Sequence, residues 1–477
     1  MNFEEYRKYD AIGLAGLVGT RQVSPDELLD AALARAAAVN PQLNALTVDL
    51  EGEARAAIRA GLPDGPLSGV PFPIKDITVK MKGVPTGAGS RLFAGRIYAE
   101  ESELIRSYRR SGMTLFAKTN TPEFGLATVT EPVATGITRN PWSLGHTCGG
   151  SSGGAAAAVA AGIVPAAHGS DGGGSIRTPA SCCALFGLKP SRGRVSMAPD
   201  GDGWGGLAVQ HALTRSVRDS ALLLDIASGA RPGDLYHVPP PERPFVEEAG
   251  RDPGRLRIGY TTRALVHGEL HPECAAGVMN AAKLCERLGH HVEEAVLDVD
   301  FVGLAVAANT IVCTSVVATL EAEGAARGRP VEAHEVERLT WNIYRDMRDK
   351  PAYEFVLAQQ AINTILRRFA AEMTKYDVLL LANNGSPPIP VGYACPDAED
   401  LTDYADRLYR FIPNTQPFNV AGMPAMSVPL HWSADGLPVG VQFAAPVGGE
   451  AVLLRLAGQI EAAQPWFDRV PPEPFAA

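Results

Sequence analysis

The sequence lacks the patterns of several protein classes. Its seven cysteines form an odd, scattered set without a CxxC pair, which argues against a disulfide framework and a zinc site. No G-x-x-x-x-G-K-[ST] motif is present, so a nucleoside-triphosphate cradle is disfavoured. Long runs of one charge sign are missing and the net charge is −10, which disfavours nucleic acid and anionic membranes as partners. We therefore expect small neutral or cationic substrates, no metal, no cofactor and reduced thiols in a cytoplasm.

The sequence also does not match the patterns of a secretory signal or a membrane span. The start "MNFEEYRKYD" is polar and acidic, whereas a secretory signal needs a basic start and an apolar core. We interpret residues 155–167 as the longest candidate membrane span, and this run is too short for a bilayer and contains Gly162 and Pro165. The sequence therefore predicts neither export nor membrane insertion, and the run is better explained by a buried helix followed by a strand.

The 477 residues, 46% hydrophobic and 20% charged, are typical of a globular protein with a sizeable core. Residues 1–60 are predicted to form an N-terminal helical cover, with a helix that starts at the cap Ser24 and Pro25. Short β-rich runs such as "GVPFPI" and "TLFAKT" then alternate with helical stretches, which indicates an α/β fold. A proline-rich segment at 231–245 is the best internal linker, and a βαβ pattern follows it, so the sheet is expected to continue.

The second half of the chain adds two further expectations. The region from about 300 to 375 is predicted to be mostly helical. The segment "GMPAMSVPLHWSADGLPVGVQFAA" is typical of a β-hairpin with its turn at 434–436.

The most informative stretch is "GGSSGGAAAAVAAGIVPAAHGSDGGGSIR", residues 149–177. It predicts a helix with Ser151 and Ser152 at its amino end, a short strand at 163–167, and a glycine turn before Ser175. Three consecutive glycines let backbone N–H groups converge on one point, as in an oxyanion hole. A flexible linker is a weaker explanation, because the flanks are apolar and structured.

Two motif matches in this region are interpreted as accidental. "GGSSG" fits the nucleophile elbow G-x-S-x-G, but that motif follows a strand and "NPWSLGHTC" is loop-like. "GDGWGG" at 201–206 fits G-x-G-x-x-G by spacing alone and is expected to be a loop.

The long stretch resembles the hallmark of the amidase signature family, GGSSGG…GSDxGGSIRxPA, and the lysine of that family falls in "GVPFPIKD" as Lys75. The resemblance covers about residues 60–460 and is loose between about 230 and 410, a region expected to shape the substrate pocket. It implies one large catalytic domain over residues 61–470, built on a mixed, twisted sheet with helices on both faces.

The resemblance also implies the chemistry. Lys75, desolvated among apolar neighbours and therefore uncharged, would be the base, and Ser151, in a cis peptide bond, would relay a proton from the nucleophile Ser175. The oxyanion donors would be the backbone N–H groups of Gly172, Gly173, Gly174 and Ser175.

Other residues of the stretch are expected to support this machinery. Ser152 is one of them, and Asp171 and Arg177 are predicted to form a buried pair, since charges beside an apolar core need partners. His168 is expected to be a satisfied core histidine. Many relatives carry a side chain at the position of Gly172, so the glycine predicts a roomier pocket.

We therefore expect a hydrolase that cleaves amide bonds of small molecules: linear or cyclic amides, anilides, carbamates or esters, as in aminohexanoate-dimer hydrolase, aryl acylamidase and urethanase-like members. The expected binding partner is such a small-molecule substrate, and the expected assembly is a homodimer. The alternative is the glutaminase subunit of a tRNA-dependent amidotransferase. A non-catalytic binding protein is disfavoured, because Lys75, Ser151 and Ser175 are all present.

Overall fold

The computed structural model describes residues 1–473 and 475. The strands in this part of the chain are β1 Leu46–Asp49, β2 Pro71–Lys75, β3 Thr114–Thr119, β4 Arg139–Asn140, β5 Ser143–Thr147, β6 Ala166–Asp171, β7 Phe186–Lys189, β8 Val209–Thr214, β9 Arg257–Thr261, β10 His291–Glu294, β11 Val378–Ala382, β12 Ala425–Trp432 and β13 Pro438–Ala444.

The α-helices of the same residues are α1 Phe3–Tyr6, α2 Ala11–Gly19, α3 Pro25–Leu43, α4 Glu51–Ala60, α5 Glu103–Arg110, α6 Gly153–Ala160, α7 Arg177–Cys182, α8 Val217–Ala227, α9 Phe245–Glu248, α10 Pro272–Arg287, α11 Phe301–Arg327, α12 Arg338–Met347, α13 Ala352–Met373, α14 Leu401–Phe411, α15 Gln416–Val420 and α16 Glu450–Ala463.

The large sheet is mixed and has the strand order β10-β9-β11-β13-β12-β7-β8-β6. The pairs β10–β9 and β9–β11 are parallel, and the remaining neighbours run antiparallel. A three-stranded sheet of order β1-β3-β2 packs its strand β2 against β6 at the edge of the large sheet. Strands β4 and β5 form a separate two-stranded sheet. The fold is the predicted single α/β domain, with its described strands divided among these three sheets.

Strand β11 shows how helices cover both faces of the large sheet. Its five residues are all buried, and they alternate between two hydrophobic cores: Val378 and Leu380 belong to one, Leu379 and Leu381 to the other. Successive strand residues point to opposite faces, so both faces are covered. Helix α10 contributes to the first core, and α11 and α13 contribute to the second.

The N-terminal region is not purely helical. Helix α3 begins as predicted, with Ser24 in a capping box and Pro25 in the first turn. The segment Leu46–Asp49 is a strand, however, and its register with β3 pairs Leu46 with Thr119. Four residues are too short for a period of two to be recognised, so only the pairing with β3 reveals the strand.

The predicted helix of the glycine-serine stretch is α6, which ends at Ala160, with Gly162 in the left-handed conformation shortly after it. The following strand, β6, lies at Ala166–Asp171 and not at residues 163–167, because its register is set by pairing with β8. The segment before the serines was wrongly interpreted as a loop: Ser143–Thr147 is a short strand paired with β4.

Later elements agree with the sequence expectations. The βαβ unit is β9-α10-β10 with parallel strands, and the region after residue 300 is helical through α13. The predicted hairpin is formed by β12 and β13, and Gly436 closes its turn with a hydrogen bond to the carbonyl of Ser433.

Helix α11 corrects the interpretation of the longest apolar span. Its 27 residues include a window of mean hydropathy 2.0, so by length and composition it is long and apolar enough to cross a membrane. A core helix of a soluble protein passes the same test, and α11 packs against α12, α13 and α15.

A glycine substitution tests the tight packing of α6. A Cβ added at Gly154 would lie 2.4 Å from the backbone nitrogen of Asn120 and 2.6 Å from the carbonyl oxygen of Ala45. We expect Gly154→Ala to lower the free energy of unfolding by about 1 to 3 kcal/mol, because backbone atoms cannot move aside. Urea denaturation measures this value.

The control is Gly52→Ala in the exposed face of α4, where a Cβ meets nothing within 4 Å. There the same change should raise stability by about 0.5 to 1 kcal/mol. Equal effects at the two positions would contradict the packing described for α6.

Candidate active site

Lys75 is the last residue of β2, and the strand buries it completely. The strand pairs with β3 on one side and packs against β6 on the other, so the side chain projects into the protein. Its amine Nζ donates hydrogen bonds to Ser151 Oγ at 2.7 Å and to Ser170 Oγ at 2.9 Å. Both of its side-chain partners are therefore hydroxyl groups.

Ser151 stands in the expected cis peptide bond, Gly150–Ser151. The backbone here passes so close to its neighbours that a Cβ at Gly150 would lie 2.8 Å from the carbonyl oxygen of Val129. The next residue, Ser152, ties the segment to the rest of the site: its N–H donates to the carbonyl of Ser175 at 3.1 Å, and its hydroxyl donates to the carbonyl of Ser170 at 3.1 Å. Ser152 thus has a supporting position.

Ser175 follows the glycine turn after β6. In the part of the chain that the structure describes, its hydroxyl makes no hydrogen bond, and the residue is 7% exposed. Its carbonyl is held by Ser152, which brings residue 175 beside the cis bond. Residue 175 is therefore adjacent in space to Ser152, which directly follows Ser151 along the chain.

The backbone donors of the turn fall into two groups. Among the described residues, the N–H groups of Gly172, Gly173 and Ser175 have no acceptor in the protein. Gly174 differs, because its N–H donates to Asp171 Oδ1 at 2.8 Å. This corrects the prediction for Gly174: its N–H braces the turn and is not free for an oxyanion.

Asp171 and Arg177 form the predicted buried ion pair. Arg177 Nη2 lies 2.9 Å from Asp171 Oδ1, Nε lies 3.0 Å from Oδ2, and both side chains are fully buried. Burial raises the pKa of Asp171, but the Arg177 guanidinium outweighs it and holds this pKa well below its usual range. The same carboxylate also accepts from the N–H of Ile176, so it organises the turn around Ser175.

The remaining donors of Arg177 reach residues that sequence reasoning missed. Its Nη1 donates to the Thr415 carbonyl at 2.9 Å and to Gln442 Oε1 at 2.7 Å, and its Nη2 donates to Asn419 Oδ1. Asn419 and Gln442 lie in a segment that resembles the family, but nothing in their local pattern indicates a partner more than 200 positions away.

Ser170 was also missed. The two-residue period of β6 places Ser170 and His168 on one face of the strand, and both contact Lys75. That period is the signal that could have identified it. Thr415 has no such signal, although its hydroxyl donates to the carbonyl of Gly173 at 2.6 Å.

The surroundings of Lys75 change its protonation. Burial lowers the pKa of Lys75 to about 7, although Asp171 opposes the shift. Burial also lowers the pKa of His168 to about 3, and the nearby Lys75 adds to this effect. Near neutral pH the imidazole is therefore uncharged.

The hydrogen bonds of His168 fit a structural role. Its Nδ1 accepts from the backbone N–H of Lys75 at 3.2 Å, so the ring proton lies on Nε2, 2.9 Å from Gln210 Oε1. Both ring nitrogens are occupied, as expected for a satisfied core histidine. No imidazole stands where a base for Ser151 would be needed, because Lys75 holds that position.

A cavity of about 210 Å³ is lined in part by Ile77 and Thr78, which follow Lys75 closely along the chain. Its apolar wall includes Ile77, Ala88, Phe93, Phe124, Trp204 and Val316. Its polar wall includes Lys80, Tyr98 and Asp200, with Lys80 Nζ 2.5 Å from an oxygen of Asp200. Ile77 links the cavity to Ser151. A Cβ placed on Gly125 would lie within 3.3 Å of both Ile77 Cδ1 and Ser151 Oγ, so these two side chains approach the same point.

Comparison with known proteins identifies the family of this chain. Residues 27–454 match the profile of the family described as Amidase. The chain is 38% identical over 489 residues to 6-aminohexanoate-cyclic-dimer hydrolase of Paenarthrobacter ureafaciens, covering 97% of this chain and 96% of the relative.

Two solved structures show the same fold. One is a 6-aminohexanoate cyclic dimer hydrolase, with a TM-score of 0.91, 36% identity and coverage of 97% of this chain and 98% of the other. The second is a bacterial aryl acylamidase of the amidase signature family, with a TM-score of 0.85, 26% identity and 96% coverage of both chains. The chain therefore belongs to the amidase family, and it is an enzyme of the class that hydrolyses amide bonds.

Removing one partner of the buried pair tests its role. We expect Arg177→Met to lower the free energy of unfolding by about 3 to 5 kcal/mol, because Asp171 would keep a buried charge without a counter-charge. Chemical denaturation measures the loss. Arg106→Met, at a largely exposed arginine that lies 3.6 Å from Glu103, should change stability by no more than about 0.5 kcal/mol. Similar losses in both variants would refute the assignment.

Proposed function

We propose that the protein is a serine-dependent amidase that cleaves carbon–nitrogen bonds of small-molecule amides through an acyl-enzyme. The nucleophile is Ser175, the relay is Ser151 and the base is Lys75. The observation that carries this proposal is the 2.7 Å hydrogen bond between Lys75 Nζ and Ser151 Oγ, together with the burial that lowers the pKa of Lys75 to about 7. An amine that is partly uncharged near neutral pH can accept a proton.

In the acylation step, Ser175 Oγ attacks the substrate carbonyl carbon and passes its proton to Ser151 Oγ. The Ser151 proton moves at the same time to Lys75 Nζ, which becomes an ammonium. The carbonyl oxygen becomes an oxyanion that the free N–H groups of Gly172, Gly173 and Ser175 stabilise. The proton then returns along the same path to the departing nitrogen, the C–N bond breaks and the amine leaves.

Deacylation repeats the sequence with water. Lys75, again uncharged, draws a proton through Ser151 from a water molecule that attacks the Ser175 ester. The tetrahedral intermediate collapses, the carboxylic acid leaves and Ser175 recovers its proton. The carboxylate of Asp171 takes no proton, since its charge is used by Arg177.

The substrate class follows from the cavity and the relatives. The cavity is smaller than the roughly 300 to 1,000 Å³ of drug-sized pockets and largely apolar, which favours small amides with an aliphatic or aryl group. Relatives named as a 6-aminohexanoate-cyclic-dimer hydrolase and an aryl acylamidase support cyclic and linear amides and anilides as substrates. Carbamates and esters present the same carbonyl and belong to the same proposal.

Covalent trapping tests the nucleophile. A fluorophosphonate probe should label the purified protein once per chain, on the tryptic peptide that contains Ser175, and Ser175→Ala should lose both labelling and amide hydrolysis. Mass spectrometry locates the adduct. The control Ser433→Ala lies on the hairpin turn and should be labelled as the wild type is. Labelling that survives Ser175→Ala would disprove the assignment.

The substrate is found by screening anilides, primary amides, lactams, aminohexanoate oligomers and carbamates with the same preparation. The alternative function, a glutaminase subunit of a tRNA-dependent amidotransferase, predicts ammonia release from glutamine. Turnover of glutamine above every other amide in the panel would favour that alternative.

The pH dependence tests the base. Because only the uncharged amine accepts a proton, kcat/KM should rise with pH through a midpoint near 7 and then level off. Lys75→Ala should lower kcat/KM by about two to four orders of magnitude and abolish this rise with pH.

Ser170→Ala removes a hydrogen-bond acceptor that favours the ammonium form of Lys75. The midpoint of the pH profile of this variant should therefore move to lower pH by roughly 0.5 to 1.

Ser181→Ala is the matched control for Ser170→Ala. This buried serine accepts a hydrogen bond from the N–H of Gly440 and lies outside the contacts of Lys75. Its pH midpoint should equal that of the wild type. A Ser170→Ala midpoint that does not move would show that this hydroxyl has no influence on the base.

A further inference from the structure

The space beside the glycine turn is filled from another part of the chain. A Cβ placed on Gly172 would lie 2.7 Å from both Cε3 and Cζ3 of Trp204, while the next neighbour, Ala208 Cβ, would be 3.8 Å away. The indole therefore occupies the volume that a side chain at position 172 would take. This corrects the expectation that Gly172 makes the pocket roomier.

The backbone holds Trp204 firmly. Residue 204 has φ of +53°, a left-handed conformation that costs a bulky residue about 1 to 3 kcal/mol, and Gly205 and Gly206 continue in left-handed conformations. The turn is closed by hydrogen bonds from Gly206 and Ala208 to the carbonyl of Gly203. The segment "GDGWGG" thus has a role that its spacing alone did not reveal.

Packing restrains the turn from the other side. Trp204 lies against the hydrophobic core formed with α11 and α13, and a Cβ on Gly205 would meet Ile311 of α11 at 2.8 Å. Helix α11 therefore restrains the backbone of the turn next to Trp204. A strained residue held in this way at a cavity indicates a functional constraint.

The exposed part of the indole faces the substrate cavity. Trp204 lines it together with Ile77, Phe124 and Val316. Two of these residues also approach the reacting groups: Ile77 from the side of Ser151 and Trp204 from the side of Gly172. Trp204 thus both lines the cavity and fills the side-chain space of Gly172.

We propose that Trp204 is the specificity-determining residue of the site, and that Gly172 is required because the indole takes its side-chain space. The assignment rests on the proposed amidase function. The indole forms a flat wall beside the scissile carbonyl, so the site accepts amides whose group next to the carbonyl is flat or unbranched. Amides with a quaternary carbon at that position collide with the wall.

Alanine substitutions of Trp204 and Gly172, alone and together, test the proposal. For anilides with acetyl, hexanoyl, benzoyl and pivaloyl groups, Trp204→Ala should raise kcat/KM for the pivaloyl compound relative to the acetyl compound by about tenfold or more. Gly172→Ala should lower kcat/KM for every substrate by about tenfold or more, because the indole is displaced towards the cavity. The variant with both changes should recover most of this loss, since alanine at 204 leaves room for the new Cβ.

Two controls separate folding from specificity. Trp432→Ala removes a partly buried indole at the far end of β12 and should leave the order of substrate preference unchanged. Fluorophosphonate labelling of Ser175 and a thermal melt show that each variant is folded with a competent nucleophile, and Trp204→Ala keeps a Cβ at the strained position.

The outcomes distinguish the two proposals. A wild-type protein that hydrolyses none of the panel and is not labelled would overturn the amidase function itself. If the wild-type protein is active, two results would overturn the role of Trp204. One is that Trp204→Ala keeps the same order of substrate preference, and the other is that the effects of the two substitutions are independent.

Discussion

The site depends on a buried amine that has hydroxyl partners and no carboxylate of its own. Lys75 is fully buried, and Asp171, the carboxylate that opposes the lowering of its pKa, is paired with Arg177. A second buried lysine, Lys118, differs in its partner: burial lowers its pKa too, but the carboxylate of Asp76, 3.1 Å away, opposes that shift directly. A direct ion pair would favour the ammonium form. Denied that partner, Lys75 can be uncharged near neutral pH and available for proton transfer.

Arg177 is the reason that this arrangement holds. One guanidinium neutralises Asp171, contacts α15 through Asn419 and reaches Gln442 on β13. Asp171 in turn accepts hydrogen bonds from the turn that presents Ser175. The ion pair therefore joins the turn that carries Ser175 to the C-terminal hairpin, and the cost of burying two charges is offset by a full set of hydrogen bonds.

The features that the sequence predicts correctly share one property: the pattern that indicates each of them is local in the chain. The cap at Ser24, the strand at residues 114–119, the hairpin turn near Gly436 and the ion pair of Asp171 with Arg177 are all encoded within a few positions. The errors are of the opposite kind. Strand β1 is visible only through its pairing with β3, and the bounds of β6 depend on β8. Gly174 is an exception, because its N–H donates to a carboxylate only three residues earlier.

The sequence by itself determined the family and the α/β class, and it predicts Lys75, Ser151 and Ser175 as the catalytic residues, because spacing along the chain and residue chemistry are local properties. Only the tertiary structure decided which groups surround them: Ser170 beside the amine, Asn419 and Gln442 on Arg177, and Trp204 in the space of Gly172. The physical reason is that burial and hydrogen bonding depend on neighbours in space, and those neighbours are brought together from distant positions by the packing of the sheets and their helices.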